Sequence, residues 1–393
     1  SRLVGSETDI AARITVQSVT GIGHDLYTKS FGPPNIASVS LIQSLLAQAE
    51  KAESSAQFSP KFLFGEWSEI VDAWQLRTWD DYRDVARLGR KTRIGGKQRE
   101  ALWSIFAHVR AQLADRKTLT WADVFGRLTE HLAHQPAFDF AVIDEAQDLG
   151  VAEMRFLSAL AGGRADGLCF TGDLGQRIFQ QPFSWKSLGI DVRGRSHTLK
   201  INYRTSHQIR SQADRLLPGS IADVDGNTES RKATISLFNG QPPQVETFDD
   251  EDDEAKAVGY WVMELMEDGI QPDEIGVFVR SEQQLHRARA ALKGAGVPAV
   301  TLSDTVEMAT GHVSISTMHI AKGLEFRAVA VMACDDEIVP LQERIENVAD
   351  DSDLEEVYNT ERHLLYVACT RARDHLLVTG VEPASEFLSD LGG

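Results

Sequence analysis

The chain has 393 residues, 42% of them hydrophobic and 25% charged, which is the composition of a globular protein with enough chain for two or three cores. It contains no run of about 18 apolar residues, so we expect no membrane span. The first ten residues lack the layout of a signal peptide, and three cysteines without metal-type spacing favour the reducing cytosol. The net charge of −18 argues against a protein that simply coats nucleic acid, but it leaves room for a locally basic track.

The first half of the chain predicts one strand, a long helical segment and then alternating strands and helices. Residues 13–19 alternate and are β-branched, which predicts a strand. From Leu41 to Leu132 apolar residues recur at helical spacing. Short apolar runs that are typical of buried parallel strands follow, with a helix between the first two: Phe138–Ile143, helix Ala152–Ala161, Leu168–Thr171 and the junction at Leu199 and Ile201. This alternation implies an open parallel sheet.

A segment rich in Gly, Ser, Asp and Asn, from Leu217 to Gly240, indicates a domain boundary, and a second alternating unit follows it. Its predicted strands are Ile275–Val279, Val313–Thr317, Ala328–Ala333 and His375–Thr379. Its predicted helices are Glu254–Met266, one that starts at a Ser281/Gln284 capping box and ends near Gly294, and Thr360–Arg373.

A basic stretch rich in aromatic neighbours lies inside the helical segment. Six cations occur in thirteen residues without an acid: Arg87, Arg90, Lys91, Arg93, Lys97 and Arg99. Trp67, Trp74, Trp79, Tyr82 and Trp103 surround them. Cations that neutralise phosphates beside rings that stack bases suit nucleic acid, and the alternative is a charged helix surface over an aromatic core.

Two polar segments follow predicted strands in the first half of the chain. In VIDEAQD, Asp144 and Glu145 stand where open α/β sheets bind ligands. One carboxylate can hold Mg²⁺ while the other polarises water, although acids also commonly end strands without a catalytic role. In FTGDLGQRIF, Gln176 can orient a water molecule or contact a terminal phosphate.

Three further segments carry an aromatic ring and cations. In INYRTS, Tyr203 offers a stacking face and Arg204 a fork of phosphate donors. STMHIAKGLEF again follows a strand. In ERHLLYVACTRARDHLLV, Arg371 shares a predicted helix face with Leu364, Val367 and Ala368, so it needs an anionic partner, either a ligand or an acid on a neighbouring strand. Arg373 falls outside that face and is expected in solvent.

The order and wording of these five segments resemble motifs II to VI of the UvrD/Rep family of superfamily 1 helicases, firmly from Phe138 to Gly380. VIDEAQD matches motif II, GDLGQRIF motif III, NYRTS motif IV, TMHIAKGLEF motif V and YVACTRA motif VI. Residues 14–19 look more weakly like the strand around motif Ib.

The resemblance implies an ATP and Mg²⁺ site and a nucleic-acid track. At the nucleotide it implies Asp144 as Mg²⁺ ligand, Glu145 as general base, Gln176 as γ-phosphate sensor, Tyr203 as adenine stacker, Arg204 and Arg371 as arginine fingers, and Gly323 and Glu325, the latter at the ribose. At the nucleic acid it implies Thr317, His319 and Phe179, and we add Arg90, Lys91 and Arg93 of the basic stretch.

The implied architecture is α/β, with two RecA-like parallel-sheet domains, the first incomplete and interrupted by an α-helical insertion. Residues 1–29 would begin the first domain, 30–120 would form the insertion, 121–216 would complete the first domain with motifs II, III and IV, and 217–393 would form the second. The implied function is an ATP-dependent, 3′→5′ motor on single-stranded or partly duplex DNA in the cytoplasm. The alternatives are a nucleic-acid-binding or interaction module without ATP turnover, and an RNA-directed motor.

Three features depart from the family pattern. No GxxxxGK[ST] phosphate loop is present, and the Gly96-Lys97 pair is followed by Gln98. In the family this loop precedes motif Ib, so we expect an N-terminally truncated chain that hydrolyses ATP poorly; a natural paralogue without the loop is the alternative. Only 32 residues separate Arg280 from Val313, which leaves no room for the large extra domain that many members carry there. In motif III, Gln181 stands where the family often has an aromatic residue, with Phe183 and Trp185 further on.

Overall fold

The computed structural model describes residues 11–53, 58–85, 94–161, 164, 166–173, 184–190, 192, 194–222, 228–230, 234–303, 306–346 and 351–392. They fall into two compact units. The first comprises the described residues before residue 192 except Asp173, and the second comprises Asp173 and the described residues from 192 onward. Among the described helices, none combines the length and the apolar character that a membrane crossing requires.

The first unit is mainly helical, as the apolar spacing predicts. Its helices are α1 Val19–Phe31, α2 Val39–Ala52, α3 Pro60–Gly65 with a π-helical continuation Glu66–Asp72, α4 Trp79–Asp84, α5 Gly96–Asp115 and α6 Trp121–Leu132. Hydroxyl caps start several of them: Thr120 Oγ1 accepts the Asp123 amide at 3.1 Å, and the Asp123 carboxylate accepts the Thr120 amide at 3.1 Å. The apolar stripes of α2, α3 and α5 close one core around the buried rings of Trp67 and Phe106.

The strand predicted at residues 13–19 is wrong. Residues 14–18 have no regular structure, and α1 begins at Val19, capped by Ser18 Oγ, which accepts the Gly21 amide at 3.0 Å. Among the described residues no strand pairs with this stretch, and Val16 is 89% exposed. An alternating, β-branched pattern forms a strand only where a neighbour takes up its hydrogen bonds and its apolar face.

A small parallel sheet completes the first unit. Strand β1 (Ala141–Ile143) pairs with β2 (Leu168–Phe170), and helix α7 (Val151–Leu160) connects them. The predicted strand–helix–strand order is confirmed, but the strands are shorter than predicted and only partly buried. Ile143 turns inward whereas Val142 is 77% exposed, because each strand has only one described partner.

The second unit is a doubly wound α/β domain around a six-stranded, wholly parallel sheet in the order β7-β12-β11-β8-β10-β9. Its strands are β7 Gln244–Phe248, β8 Ile275–Val279, β9 Ala299–Thr301, β10 Val313–Thr317, β11 Phe326–Val331 and β12 Ala372–Val381. Its helices are α8 His207–Ala213, α9 Glu251–Glu267, α10 Leu285–Gly294, α11 Gln342–Glu346, α12 Asp351–Cys369 and α13 Glu386–Gly392. Two short strand pairs precede the sheet in sequence: β3 Ile201–Asn202 with β6 Ile235–Ser236, and β4 Ser220–Ala222 with β5 Thr228–Ser230.

Two apolar cores cover the two faces of the six-stranded sheet. Neighbouring residues of β8 turn to opposite sides, so that Phe278 packs with α8, α12 and α13 while Val277 packs with α9 and α10. Every residue of β8 and β10 is buried, which explains their continuous apolar or small-residue sequences.

Several predicted details differ from the structure. The expected boundary at residue 217 is not where the packing divides, because Ile209, Ala213 and Leu217 lie in the core of the second unit. The capping box at Ser281 is not formed; a 3₁₀ turn, Glu282–Gln284, stands there and α10 begins after it. Between Arg280 and Val313, α10 and β9 fill the space, as the short spacing predicts.

Candidate nucleotide and nucleic-acid sites

In the first unit, Asp144 and Glu145 lie directly beyond β1, on a turn held by the end of β2. Thr171 Oγ1 donates to Asp144 Oδ1 at 2.5 Å, and the Glu145 amide donates to the same oxygen at 3.0 Å. Asp144 is exposed, so the second carboxylate oxygen lies at the surface. Glu145 adopts φ 52°, a left-handed conformation that costs a non-glycine residue free energy.

The side chain of Glu145 is oriented by Gln147, whose Nε2 donates to Glu145 Oε2 at 2.5 Å. Gly172 makes room for this contact, since a Cβ there would lie 2.4 Å from Gln147 Oε1. The glycine after β2 is therefore required for close approach between two strand ends, not for an unusual φ. A carboxylate oriented in this way can accept a proton from water.

The acidic pair suits a nucleotide-bound Mg²⁺ better than a permanent metal site. Among the described residues no group of three His, Cys, Asp or Glu side chains is placed to hold a metal ion. Mg²⁺ in phosphate-transfer sites needs only one or two carboxylates, because water and substrate phosphates complete its octahedral shell. The exposed carboxylate of Asp144, fixed by Thr171, fits that requirement.

In the second unit, Tyr203 and Arg204 are presented by a turn that Asn202 closes. Asn202 Oδ1 accepts the amide of Arg204 at 2.8 Å and that of Thr205 at 3.1 Å. An Asn side chain that accepts amides two and three residues ahead fixes a tight turn. The ring of Tyr203 is 67% exposed, which leaves its face open for stacking.

Arg204 is anchored to the segment that precedes β11. Its Nη2 donates to the Leu324 carbonyl at 2.5 Å, and its Nε lies 2.9 Å from Glu325 Oε1. Gly323 next to it adopts φ +81°, the left-handed region that favours glycine. Motif IV and motif V residues thus meet although Arg204 and Leu324 are 120 positions apart.

Arg371 lies in the turn between α12 and β12, so its predicted place on the helix is wrong: α12 ends at Cys369. It is nevertheless buried, and its Nε donates to the Val367 carbonyl at 3.0 Å. Its own carbonyl accepts the Phe326 amide at 3.0 Å, which brings it beside Glu325. Arg373 is exposed, as predicted, and pairs with Asp374 at 2.9 Å.

Thr317 and His319 lie at the carboxyl end of the sheet, where its strands end, whereas Glu325 and Arg371 lie at its amino end, where the strands begin. Thr317 ends β10 opposite Val279, whereas Glu325 precedes β11, whose Ala328 stands opposite Ile275. Ala328 is thus four strand residues, or roughly 13 Å, from the level of Thr317, and Glu325 lies three residues further away. Burial, then the nearby charge of Arg280, lowers the pKa of His319 to about 4, with Glu361 opposing and Arg344 adding to the effect.

The comparison with known proteins agrees with this arrangement. Residues 300–382 match the family described as the UvrD-like helicase C-terminal domain. Over 163 residues the chain is 29% identical to the ATP-dependent DNA helicase UvrD2 of Mycobacterium tuberculosis, covering 40% of this chain and 23% of UvrD2. Over 153 residues it is 42% identical to YjcD of Bacillus subtilis, covering 38% of this chain and 19% of YjcD. Over 175 residues it is 26% identical to DNA helicase II of Haemophilus influenzae, covering 42% and 22%. This chain is therefore similar to UvrD-type helicases, with the family match at residues 300–382.

The matched segments span about a fifth of the length of each of these three relatives. The family match covers motifs V and VI, in the unit where Thr317, Glu325 and Arg371 lie on one sheet. The predicted fold class is confirmed for this unit by its six-stranded parallel sheet.

Five predicted site residues lie outside the described residues: Gln176 and Phe179 of the UvrD/Rep pattern, and Arg90, Lys91 and Arg93 of the basic stretch. The aromatic residues beside the basic stretch are described: two are buried in the core, and Trp74, Trp79 and Trp103 are partly buried against it. Trp67 and Tyr82 are buried, and Tyr82 donates to the buried Glu66 carboxylate at 2.8 Å. Base stacking by these two rings is therefore excluded, because they would have to leave the core.

Sequence reasoning missed the partners of His319. Arg280, directly after β8, forms two hydrogen bonds of 2.6 Å with Glu361 on α12, and Arg344 on α11 donates to the same carboxylate at 2.9 Å. The available signal was Arg280 itself, a charge that follows a fully buried strand and so requires a buried anion. Its partner is 81 residues away, beyond the reach of local pattern.

Proposed function

We propose that this chain belongs to an ATP-dependent DNA helicase or translocase that acts on single-stranded or partly duplex DNA with 3′→5′ polarity in the cytoplasm. One observation supports this most: three segments far apart in sequence meet at the amino end of one sheet, through the Arg204–Glu325 ion pair and the Arg371 carbonyl that accepts the Phe326 amide. Arg204, Glu325 and Arg371 are the residues that the UvrD/Rep pattern assigns to the nucleotide. A structural ion pair needs two of them, but the convergence of all three motifs fits a shared ligand.

In this proposal the first unit supplies the acidic chemistry. Asp144 would hold Mg²⁺, which neutralises charge on the phosphates. Glu145, oriented by Gln147 and strained at its backbone, accepts the proton of the attacking water. Gln176 is assigned to the γ-phosphate.

The second unit supplies the cationic chemistry and recognition of the base. Tyr203 stacks on adenine, and Glu325 and Gly323 contact the ribose side of the nucleotide. Arg204 and Arg371 stabilise charge on the transferred phosphate. For Arg204 this requires an exchange, because its Nε now faces the Glu325 carboxylate.

The nucleic acid is assigned to the carboxyl end of that sheet, beside Thr317 and His319. The low pKa of His319 keeps its imidazole neutral at physiological pH. A neutral ring donates one hydrogen bond and can stack, so it suits contact with a base or a sugar better than an ion pair with a phosphate. Phe179, Arg90, Lys91 and Arg93 are assigned to the same partner, DNA.

We further propose that this chain alone hydrolyses ATP poorly, because its 393 residues contain no GxxxxGK[ST] sequence. The alternative function is a nucleic-acid-binding or interaction module without turnover. The two differ in one property: a motor hydrolyses ATP in response to single-stranded DNA, and a binding module does not.

Binding of a fluorescein-labelled dT oligonucleotide tests the part that both functions share. We expect the chain to bind it with an affinity that falls as salt rises. His319→Ala should weaken binding by about tenfold, the loss of roughly one base contact. His286→Ala, at an exposed histidine of the same unit, is the control and should leave the affinity unchanged. No binding at low salt contradicts the proposal; translocation towards the 5′ end, scored by displacement of streptavidin from biotin at either end, tests the polarity.

A further inference from the structure

The side chain of Glu361 is wholly buried at the centre of a charged cluster. Arg280 grips it with two bonds of 2.6 Å, Arg344 Nη1 donates to Oε1 at 2.9 Å, and the Leu341 amide donates to Oε2 at 3.4 Å. Burial alone would raise the pKa of Glu361, but the hydrogen bonds and charges of Arg280 and Arg344 lower it, so the carboxylate stays ionised.

A cluster of this kind is a costly way to stabilise a core. Desolvation of a buried ion pair commonly cancels its attraction, and apolar residues of similar volume hold such a position equally well. Stability alone therefore gives no reason for two arginines on one buried carboxylate. What the cluster adds is geometry: a bidentate pair allows one orientation of the helix that carries it.

The cluster joins α12 to the carboxyl end of the sheet, where the nucleic acid is assigned. Arg280 directly follows β8, His319 follows β10, and the two strands pair in register, with Thr317 opposite Val279. The Met318 amide donates to the Val279 carbonyl at 2.8 Å, which joins the two strand ends. The charges of Arg280, Glu361 and Arg344 all act on His319, so the cluster and the histidine are neighbours.

The same helix leads to the amino end of the sheet. From Glu361 to its end at Cys369, α12 rises roughly 12 Å. Arg371 follows, bonded back to the Val367 carbonyl and accepting the Phe326 amide. Leu364, Leu365, Val367 and Ala368 are fully buried, so this part of the helix moves as a packed body.

We propose that Glu361 is a positioning residue that couples nucleic-acid binding beside His319 to the position of Arg371. Because Arg280 and Arg344 hold Glu361 in place, α12 is a rigid link. Binding of a DNA strand beside His319 therefore changes the position or the mobility of Arg371, beyond the far end of the helix. This inference rests on the proposed function, since it takes the ligand at His319 to be single-stranded DNA.

Hydrogen exchange with and without a dT oligonucleotide tests the coupling, with Arg344→Gln as the variant. Arg344 is 34% exposed, so its loss leaves the Arg280–Glu361 pair and the fold in place. Arg327→Gln is the matched control, at 35% exposure and with two acidic partners on the same sheet. In the unchanged chain and in the control, we expect the oligonucleotide to slow exchange over residues 364–371 by about fivefold or more. In Arg344→Gln the oligonucleotide still binds, but that protection falls below half.

A second variant removes the cluster without leaving a buried charge: Arg280→Met combined with Glu361→Leu. We expect it to fold, to bind the oligonucleotide and to show no transmitted protection. An unchanged response of residues 364–371 in both variants overturns the coupling role. Loss of oligonucleotide binding in Arg344→Gln overturns it too, since Arg344 would then be a direct contact. If the unchanged chain binds no oligonucleotide, the proposed function fails first and the coupling role fails with it.

Discussion

The two units of this chain hold their candidate residues in opposite ways. In the first, Asp144 and Glu145 stand exposed or partly exposed on the turn that follows the three-residue strand β1, and neighbouring groups orient them: Thr171, Gln147 and the space at Gly172. In the second, the candidate residues lie at the ends of buried strands, and polar contacts 81 and 120 positions apart in sequence hold them.

The difference teaches where each kind of chemistry can be built. An acid that must meet water and a metal-bound phosphate works at a surface turn, where both can reach it. An arginine that must approach phosphate at one angle needs a rigid support, because its side chain is long and loses much rotational freedom when fixed. The second unit provides that support with a doubly covered sheet.

The largest expected effect separates the roles of the second unit's arginines. In the protein as its gene encodes it, Arg204→Ala should lower DNA-stimulated ATP turnover by ~10³ to 10⁵, the loss typical of an arginine finger. Arg373→Ala is the control, since that exposed arginine pairs only locally with Asp374. Steady-state phosphate release measures both. Equal turnover in the two variants would make the Arg204–Glu325 pair purely structural.

The next effect concerns stability. Arg280→Ala leaves the Glu361 carboxylate buried without its main partner, and we expect a loss of ~3 to 5 kcal/mol in the free energy of unfolding of the second unit. Urea denaturation followed by tryptophan fluorescence and circular dichroism measures it. Arg327→Ala should cost less than ~1 kcal/mol, because its two ion pairs are partly exposed. Similar losses in both variants would contradict the contrast between buried and surface pairs.

Acid should act on the two units with opposite sign. His319 has a pKa lowered from 6.5 to about 4, so the unfolded chain takes up the proton first. Its contribution is present above pH 6.5 and is lost as the pH falls towards 4, on the order of 2 kcal/mol. Burial and the charge of Asp123 raise the pKa of Asp72 from 3.8 to about 6, against the hydrogen bond from Thr120. That contribution is present below pH 3.8 and is lost as the pH rises through 6.

Hydrogen exchange in moderate urea at pH 4.5 and 6.5 reads the two units separately. Lower pH should speed exchange in the second unit's sheet and slow it in the helices around Asp72. His319→Gln and Asp72→Asn should each flatten the response of their own unit alone. A common direction in both units would mean that other groups dominate.

The smallest effect is at Gly323, beside the Arg204 anchor. Gly323→Ala meets no neighbouring atom but forces a Cβ into φ +81°, which should cost ~1 to 2 kcal/mol. Gly294→Ala is the matched control, because that glycine ends α10 at an ordinary φ with the same open space, and alanine should be neutral or slightly stabilising. Thermal unfolding compares them. Equal melting temperatures would show that the loop before β11 relaxes freely.

The contrast between the units also explains what the sequence could predict. The strands β8 and β10 were predicted to the residue, because a strand buried on both faces writes a continuous apolar or small-residue run. Tyr203, Arg204 and Glu325 could be assigned from short motifs. The strand at residues 13–19 was wrong because alternation records a face but not the neighbour that must cover it.

The unpredicted part is what joins distant segments. The sequence predicted that Arg371 is buried and needs a partner, but not that it lies beyond the helix, against the backbone before β11. The Arg280–Glu361–Arg344 cluster draws on three elements, and none of the three has a local signature of the others.

The most direct test of the central claim is steady-state ATP hydrolysis by the protein as its gene encodes it, with and without a dT oligonucleotide, beside Glu145→Gln. The account predicts turnover that rises with the oligonucleotide and falls by at least ~10² in the variant, which keeps the shape of the side chain but loses the base. Hydrolysis that ignores the oligonucleotide, or that survives in Glu145→Gln, would contradict the assignment of a DNA-driven ATPase to these residues.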